Sequence, residues 1–378
     1  MSMTKTTLND RHLLNDAHFM RIAIGLARRG HGNVAPNPSV GCVIVKDGVI
    51  AGRGWTQPGG RPHAETEAIG RAGSATKGAT AYVTLEPCAH HGETPPCAQA
   101  LIDAGIRRVV IGTGDPDPRV QGGGISMLRA AGIDVTEDVC AADARDAALG
   151  FLMRVENDRP LVTVKVATTL DGRIATATGD SQWITGAVSR ALGHGIRARN
   201  DAILVGSRTA LLDDPSLTCR LPGLAGASPI RIVVDARLLL PLTHNLVATA
   251  GETPTWILTR GDGDPARRKA FADAGVRLID VALDTDGNID LVEALRALAG
   301  LGITRMMVEG GGRIIAGLLA ANLVDRLVWF RASRVIGGDG VSAVAGFGVE
   351  ALDGAANFVK VSSRPAGADI VETYVRDR

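Results

Sequence analysis

Strand-type and helix-type segments alternate along nearly the whole chain, and this alternation restricts its fold more than any other feature of the sequence. Short apolar runs typical of buried strands, such as SVGCVIV, RRVVIGT, LVTVKVA and DAILVG, are separated by segments with helical periodicity. This alternation is typical of layered α/β proteins, in which helices cover a sheet. The sequence therefore predicts an α/β fold throughout.

The length of the chain and one cluster of helix-breaking residues divide it into two predicted domains. At 378 residues the chain exceeds a single ordinary domain, since about 150 residues is typical of one. The predicted joint is 141–160, where a polar helix rich in Ala, Asp and Arg is followed by Asn157-Asp158-Arg159-Pro160. We therefore predict one α/β domain over residues 1–158 and a second over residues 159–378.

Charge, apolar runs and cysteine count narrow the class of protein. Lys and Arg number 41 against 40 Asp and Glu, and aromatic residues make up 3%, so neither a basic face nor stacking side chains for nucleic acid are expected. No apolar run approaches the ~20 residues of a membrane span, and the opening MSMTKTTLNDRHLLND lacks the apolar stretch of a secretion signal. Five cysteines argue against a disulfide framework. We expect a cytoplasmic protein that binds a small molecule, with no membrane or nucleic-acid partner.

The most specific motif combines His63 and Glu65 with Cys88 and Cys97, and a proline precedes each cysteine. One imidazole and two thiolates supply three ligands to Zn²⁺ and leave the fourth tetrahedral position open for water. Glu65 is too close to His63 in sequence to be an independent ligand, but it can move a proton from water to a leaving amine. H-x-E followed by P-C-x-x-C is the signature of zinc deaminases, although here eight residues separate the cysteines. The motif predicts a zinc-dependent deaminase with Glu65 as a catalytic residue.

Two alternatives to this interpretation stay open. The first is a nucleoside or nucleic-acid deaminase with an appended non-catalytic α/β domain, which the near-neutral charge and the few aromatic residues disfavour. The second is a zinc ion that only stabilises the fold, which would need a fourth ligand such as Cys42. His90 and His91, between the two cysteines, are at most substrate-pocket residues.

The segments APNPSVGCVIV, HAE and LEPCAHHGETPPC closely resemble the bifunctional riboflavin-biosynthesis deaminase/reductase family, and the resemblance continues along nearly the whole chain. It implies a cytidine-deaminase-like three-layer domain followed by a dihydrofolate-reductase-like α/β domain. The implied reactions are hydrolytic deamination of 2,5-diamino-6-ribosylamino-4(3H)-pyrimidinone 5′-phosphate and NADPH-dependent reduction to 5-amino-6-ribitylaminouracil 5′-phosphate. Asn37 matches a substrate-pocket position of the family, although Pro36-Asn37-Pro38 also suits a rigid turn.

In the second predicted domain the local motifs are weaker. Glu309-Gly310-Gly311-Gly312 follows a strand and opens a helix, and glycines at such a junction let a phosphate approach the N–H groups of the helix. This is not the G-x-G-x-x-G pattern of a Rossmann domain. Taken alone, the turn is as consistent with an ordinary strand-turn-helix connection as with cofactor binding.

The resemblance assigns roles in the second domain residue by residue. Lys165, Asp213 and Glu309 would lie near the reacting sugar carbon, although such residues also form ordinary ion pairs. Arg197 and Arg220 would hold the substrate phosphate, although exposed arginines are also ordinary surface residues. The other implied substrate contacts are Ser181, Leu217 and Glu309. The implied NADPH contacts are Ala167, Trp183, Thr209, Asp213, Gly311, Gly312, Arg313, Ile314, Ile315, Ala316 and Gly317.

Two points depart from this pattern or are left open by it. Ala236 stands where some relatives have serine, which puts one hydroxyl contact to the cofactor in doubt. Whether the chain forms a homo-oligomer through the reductase domain is left open by the sequence.

Overall fold

A computed structural model describes residues 8–90 and 95–377 of the chain. The chain divides into two compact units, Met1–Asp158 and Arg159–Arg378. Both units are mixed α/β structures, which confirms the predicted fold class. Within the described residues, no helix has the length and apolar character needed to cross a membrane.

The amino-terminal unit contains one five-stranded sheet in the order β2-β1-β3-β4-β5. The pairs β1–β2 and β1–β3 are antiparallel, whereas β3–β4 and β4–β5 are parallel. Its strands are β1 (Gly41–Lys46), β2 (Val49–Trp55), β3 (Thr80–Val83), β4 (Arg108–Ile111) and β5 (Asp134–Thr136). Its helices are α1 (Leu8–Ala27), α2 (Ala64–Ala72), α3 (Cys97–Asp103), α4 (Gly123–Ala130) and α5 (Ala141–Asn157).

Both faces of this sheet are covered, so successive residues of a central strand are buried on opposite sides. In β1, Cys42 and Ile44 pack with α2, α3 and α4, whereas Val43 and Val45 pack with α1. Burial on both faces explains why this strand is a continuous apolar run in the sequence rather than an alternating one. The result is the three-layer arrangement expected for the first domain.

Helix α5 differs from the sequence-based prediction that residues 141–160 form a polar joint. Ala144, Ala148, Phe151 and Leu152 of this helix are buried, and they pack into the core of the amino-terminal unit. The abundance of Ala, Asp and Arg concealed this, because alanine is small enough to pack closely against the sheet without giving a strong apolar signal. The helix is therefore part of the first unit and not a linker.

The carboxyl-terminal unit contains a nine-stranded sheet in the order β11-β10-β9-β8-β12-β6-β13-β16-β15. Neighbours are parallel from β11 to β13 and antiparallel from β13 to β15. Its strands are β6 (Leu161–Thr168), β7 (Arg173–Ala175), β8 (Ala202–Gly206), β9 (Ile230–Val234), β10 (Thr255–Thr259), β11 (Arg277–Asp280), β12 (Arg305–Glu309), β13 (Arg326–Arg331), β14 (Val341–Ser342), β15 (Phe358–Ala366) and β16 (Asp369–Arg376). Strands β7 and β14 form a separate antiparallel pair. Its helices are α6 (Ala187–Arg197), α7 (Ser207–Asp213), α8 (Asn245–Ala248), α9 (Pro265–Asp273), α10 (Leu291–Gly300) and α11 (Gly312–Ala320).

This second sheet also separates two apolar cores, one on each face. In β8, Ala202 and Leu204 belong to one core and Ile203 and Val205 to the other. Parallel strands covered on both sides place their carboxyl ends along one edge of the sheet, where open α/β sheets bind ligands. Lys165 lies on β6, while Glu309 ends β12 at that edge.

Candidate functional site

Three ligand-type side chains converge in the amino-terminal unit. The Nδ1 atom of His63 lies 3.2 Å from the Sγ atom of Cys97 and 3.8 Å from that of Cys88. The ligand atoms of all three residues lie within 4.8 Å of one another. A nitrogen and a sulfur bound to one tetrahedral Zn²⁺ are about 3.5 Å apart, so the donor set and its spacing fit a zinc ion.

Helix ends and a glycine-only contact position these ligands. His63 directly precedes α2 and makes no capping hydrogen bond with its side chain, which leaves the ring free to face the cysteines. Helix α2 lies directly against β2, because a Cβ atom at Gly54 would be 2.1 Å from Ala64 O and one at Gly52 would be 2.2 Å from Ala68 O. Glycines at these two positions therefore let the start of α2 approach the sheet.

The two thiols differ in proton affinity because they interact with each other and with a helix start. Hydrogen bonds from Cys97 and His63 lower the pKa of Cys88 to about 4, and the backbone N–H of Cys97, at the first residue of α3, lies 3.3 Å from Cys88 Sγ. The interaction with Cys88, together with burial, raises the pKa of Cys97. The hydrogen bond to Cys88 raises the pKa of His63, against an opposing effect of burial. The cluster thus holds a thiolate beside an imidazole, which is a suitable environment for a divalent cation.

Glu65 is buried beside this group, with 3% of its surface exposed. Burial raises its pKa to about 7, against a lowering effect of His63. A carboxyl group with this pKa can exchange a proton near neutral pH. Cys42 is fully buried, and burial raises the pKa of its thiol. It lies outside the converging ligand group, so within the described residues it does not supply the fourth ligand.

The remaining predicted residues of this unit are Asn37, His90 and His91. Asn37 is half-buried, and its amide lies where a Cβ atom at Gly60 would be 1.8 Å from its Nδ2 atom. The Nδ1 atom of His90 is buried without a hydrogen-bond partner among the described residues. His91 lies outside the described residues.

Sequence reasoning missed Glu86, which supports the segment that carries Cys88. Its buried carboxylate accepts hydrogen bonds from the N–H groups of Gly122, Gly124 and Ile125, at 3.1, 3.0 and 3.2 Å. A Cβ atom at Gly124 would lie 1.9 Å from Pro87 O, so the start of α4 packs closely on this segment. The signal was an acidic residue three positions after the apolar strand β3 and directly before Pro87-Cys88.

In the carboxyl-terminal unit many of the predicted residues line one cavity of about 260 Å³. Its lining includes residues of β6, of α7, and of the end of β12 with the glycine turn that follows. The predicted residues on its wall are Lys165, Ala167, Arg197, Thr209, Asp213, Leu217, Glu309, Gly311 and Ile315.

A charged group of three residues forms one side of this cavity. Strand pairing places Glu309 opposite Lys165, and Lys165 Nζ lies 2.9 Å from Glu309 Oε1. The Nε and Nη2 atoms of Arg197 each lie 2.9 Å from Glu309 Oε2. Burial alone would raise the pKa of Glu309, but Lys165 and Arg197 outweigh it and lower the pKa to about 2. Glu309 is therefore a fixed carboxylate between two cations.

The two predicted phosphate-binding arginines differ in how many of their guanidinium N–H groups already make hydrogen bonds or ion pairs. Arg197 is engaged with Glu309, and its Nη1 atom also donates to Thr218 O at 2.9 Å. Arg220 is exposed, and no hydrogen bond or ion pair of its side chain occurs within the described residues. A phosphate would meet an available guanidinium at Arg220, whereas at Arg197 it would compete with Glu309.

The glycine turn after β12 has the conformation that its sequence suggested. Gly310 and Gly311 have φ angles of 86° and 87°, a region that favours glycine. Thr209, on α7, covers both glycines, since Cβ atoms there would lie 3.3 and 3.4 Å from its side chain. The turn leads directly into α11, which presents backbone N–H groups beside the cavity.

The other predicted cofactor and substrate residues differ in their exposure to solvent. Ile315 and Ala316 are buried, and Ile315 both packs in the core and lines the cavity, while Arg313 is exposed and Gly312, Ile314 and Gly317 are half-buried. Trp183 is 58% exposed and stacks on Arg190, 4.6 Å from the ring centre. Ser181 is half-buried, and burial raises the pKa of Asp213.

Comparison with known proteins gives a match for each unit. Residues 14–113 match the family model "Cytidine and deoxycytidylate deaminase zinc-binding region", and residues 160–371 match the "RibD C-terminal domain". The riboflavin biosynthesis protein RibD of Aquifex aeolicus is 39% identical to this chain, over 96% of this chain and 98% of the relative. The chain belongs to the RibD family. Its members include RibD of Escherichia coli, which is 40% identical over 94% of this chain and 98% of the relative.

Solved RibD structures have the same fold. RibD of Acinetobacter baumannii, form 1, superposes with a TM-score of 0.86 at 34% identity, covering 97% of this chain and all of that one. A Thermotoga maritima protein superposes with a TM-score of 0.84 at 33% identity, covering 97% of this chain and 100% of that one. That protein is described as a diaminohydroxyphosphoribosylaminopyrimidine deaminase/5-amino-6-(5-phosphoribosylamino)uracil reductase.

Membership in the RibD family settles the class of the enzyme. The chain is a bifunctional deaminase and reductase of riboflavin biosynthesis, with a cytidine-deaminase-like zinc-binding domain followed by a RibD reductase domain. The match of residues 160–371 to the RibD C-terminal domain decides against an appended non-catalytic domain.

Proposed function

We propose that the amino-terminal unit hydrolyses the ring amine of 2,5-diamino-6-ribosylamino-4(3H)-pyrimidinone 5′-phosphate. The carboxyl-terminal unit then reduces the ribosyl group with NADPH, giving 5-amino-6-ribitylaminouracil 5′-phosphate. The observation that carries this proposal is the convergence of His63, Cys88 and Cys97 beside the buried Glu65. The activity named for the Thermotoga maritima relative supports the choice of substrate.

In the deaminase unit, His63, Cys88 and Cys97 would hold one Zn²⁺ per chain. When bound, the zinc ion supplies a Lewis acid that makes water more acidic. Glu65 accepts a proton from the attacking water and passes it to the departing amine, a role that its pKa of about 7 suits. Asn37 contributes an amide that can both donate to and accept from the pyrimidine ring.

In the reductase unit, the fixed charge of Glu309 refines the roles that the resemblance suggested. A carboxyl group with a pKa of about 2 cannot donate a proton near neutral pH, so Glu309 binds and orients. Lys165, held by Glu309 at 2.9 Å, is the group that can donate to the sugar oxygen as C1 accepts a hydride. Asp213 also lines the cavity, and partial loss of solvation raises the pKa of its carboxyl group.

NADPH supplies the hydride, and its phosphates would lie at the turn and helix start formed by Gly311, Gly312, Arg313, Ile314, Ile315, Ala316 and Gly317. Thr209, Ala167 and Trp183 would complete its pocket. Ser181, Leu217, Arg197 and Arg220 would bind the ribotide. Of the two arginines, Arg220 would carry most of the phosphate contact, because the donors of Arg197 are already engaged.

We also propose that each unit folds independently, with the boundary between Asp158 and Arg159. The guanidinium of Arg159 donates to both carboxylate oxygens of Asp325, at 2.7 and 2.8 Å, which ties the first residue after the boundary to the second unit. Expression of 1–158 and 159–378 as separate soluble fragments is the expected result. Aggregation of both fragments under conditions in which the full chain is soluble would contradict it.

A homo-oligomer through the reductase domain is supported by strand β15 at the edge of the nine-stranded sheet. Val359 and Val361 on this strand are 50% and 61% exposed, and the unpaired backbone N–H and C=O groups of an edge strand can pair with another chain. Light scattering of the full chain measures the oligomeric state.

A cytoplasmic location is supported by five free cysteines, since reduced thiols persist there.

The decisive experiment is incubation of the zinc-loaded full chain with the diamino-pyrimidinone ribotide, with and without NADPH, followed by mass analysis. Without NADPH, we expect replacement of one amino group by oxygen. With NADPH, we expect the additional gain of two hydrogens. Cytidine and adenosine serve as control substrates, and their deamination with no reaction of the ribotide would overturn the proposal.

A further inference from the structure

The segment from Leu217 to Arg220 carries two of the predicted ribotide contacts but lies outside the helices and strands of its unit. Leu217 is buried and lines the cavity, and its φ angle of 53° lies in the left-handed region. Arg220, three residues later, is exposed. Because no helix or strand fixes this segment, the position of the Arg220 guanidinium depends on the contacts that hold the backbone on either side of Cys219.

The side chain of His194, on α6, contacts the backbone on both sides of Cys219. Its Nδ1 atom lies 3.1 Å from Thr218 O and 3.3 Å from Arg220 N. The thiol of Cys219 is buried and donates to the backbone oxygen of His194 at 3.5 Å. Three contacts therefore join this segment to residue 194.

The ring of His194 is bonded to the segment whichever of its nitrogen atoms carries the proton. With the proton on Nδ1, the ring donates to Thr218 O. With the proton on Nε2, the Nδ1 atom accepts from the N–H of Arg220. A side chain that offers either a donor or an acceptor at the position of Nδ1 would therefore keep the connection.

Helix α6 connects these contacts to the charged group of the cavity. His194 and Arg197 are three positions apart, so they lie on the same face of the helix. Both reach one carbonyl group, because Arg197 Nη1 also donates to Thr218 O at 2.9 Å. Arg197 is itself held by Glu309. The segment that carries Arg220 is thus fastened to the same helical turn as the other predicted phosphate-binding arginine.

We propose that His194 is a positioning residue, which fixes the backbone at Arg220 and thereby sets where the Arg220 guanidinium lies relative to Arg197 and the cavity. A guanidinium binds phosphate through directed hydrogen bonds, so its placement decides how well it binds. His194 acts on the binding of the ribotide phosphate and not on hydride transfer. This assignment rests on the proposed reductase function, because it takes the ribotide as the substrate of this unit.

Steady-state kinetics of the full chain with the deaminated ribotide and NADPH test this role. His194→Leu removes both hydrogen bonds, so the KM for the ribotide should rise by about threefold to tenfold, the effect of one neutral hydrogen bond, with kcat and the Kd of NADPH almost unchanged. His194→Asn places an amide where Nδ1 lies and should restore the KM, whereas the longer side chain of His194→Gln should not. His244→Leu is the matched control, because His244 is also half-buried in this unit but faces Asp214, at 3.7 Å.

A double-variant cycle separates the positioning of Arg220 from a general effect on the fold. If His194 acts through Arg220, His194→Leu should cause no further rise in KM in the Arg220→Ala background, because two residues that serve one contact are not additive. The deaminated riboside, which lacks the phosphate, should be reduced equally well by the wild type and by His194→Leu. Thermal unfolding of each variant measures any loss of stability separately.

The outcomes separate this assignment from the reductase function itself. Additive rises in KM, or the same KM for His194→Asn and His194→Gln, would overturn the assignment, although reduction of the ribotide by the wild type would uphold the reductase function. An equal rise in KM for riboside and ribotide would also overturn it, because the pocket as a whole would then be distorted. If the wild-type chain does not reduce the ribotide, both proposals fail. The comparison of Asn with Gln does not depend on the folding of the leucine variant.

Discussion

Each unit holds a glutamate at the centre of a polar site, buried at Glu65 and half-buried at Glu309, and the pKa values of the two carboxyl groups shift in opposite directions. Burial raises the pKa of Glu65 in the deaminase unit to about 7, whereas the pKa of Glu309 in the reductase unit is lowered to about 2. Burial favours the neutral form in both cases. Lys165 and Arg197 next to Glu309 outweigh it, whereas the lowering effect of His63 on the pKa of Glu65 does not. Neighbouring charges therefore decide whether a buried carboxyl group is a proton carrier or a fixed charge.

The largest expected effect concerns the zinc ligands, whose loss should separate the deaminase reaction from the reductase reaction. Replacing both Cys88 and Cys97 by serine removes two thiolate ligands, so zinc and deamination should both be lost. The reductase half-reaction, assayed with the deaminated ribotide, should be retained because its charged group contains neither residue. Elemental analysis and the two separate assays measure this. Full zinc content in the double variant would contradict the ligand assignment.

The next largest effect tests whether Glu65 carries the proton during deamination. Glu65→Gln keeps the shape of the side chain but cannot take up a proton, so deamination should fall by ~10² or more while zinc is retained. Glu67→Gln is the matched control on the same helical turn, because the Glu67 carboxylate is paired with Arg71 at 2.7 Å instead. Near-normal deamination by Glu65→Gln would remove Glu65 from the mechanism.

A smaller effect tests which residues of the reductase unit bind the ribotide phosphate and which bind NADPH. Arg220→Ala should raise the KM for the ribotide by roughly tenfold to a hundredfold, the effect of one charge-assisted contact, and leave the affinity for NADPH almost intact. Gly311→Val should do the reverse, since a side chain at a φ of 87° is strained and blocks approach of a phosphate. If Arg220→Ala weakened NADPH and spared the ribotide, the two pockets would have to be exchanged.

The smallest effect concerns stability and pH. A carboxyl group whose pKa is lowered from 4.5 to about 2 contributes stability that is present above pH 4.5 and lost as the pH falls toward 2. Lys165→Met removes one of its cations, so the difference in unfolding free energy from the wild type should shrink over that range. Lys269→Met is the control, because its partner Asp273 is largely exposed. A difference that did not change between pH 5 and pH 2 would contradict the fixed carboxylate.

The two sites also differed in how much the sequence revealed. His63 lies 34 and 25 positions from its two cysteine partners, and metal ligation demands particular residue types, so a short motif indicated the group. Lys165 and Arg197 lie 144 and 112 positions from Glu309, and residues of these types are common on any surface. Only the resemblance to a family, and then the pairing of β12 with β6, brought them together.

Other features lay beyond local sequence patterns for a different physical reason. The alternating α/β fold was predictable, because strands buried on both faces give continuous apolar runs. Strand β15 was missed because most of its residues are exposed, so it lacks any apolar run. The support that Glu86 gives to the Cys88 segment depends on N–H groups some forty positions away, which no spacing rule indicates.

The backbone contact between α2 and β2 limits how this enzyme can be redesigned. In most cores, substitutions that change the size of the side chains between a helix and a sheet can change the distance between the two in small steps. At Gly52 and Gly54 such steps are absent, because carbonyl oxygens already occupy the space where a larger residue would begin. New specificity for other aminated heterocycles must therefore arise in the loops around the pocket, while the distance from helix to sheet stays constant.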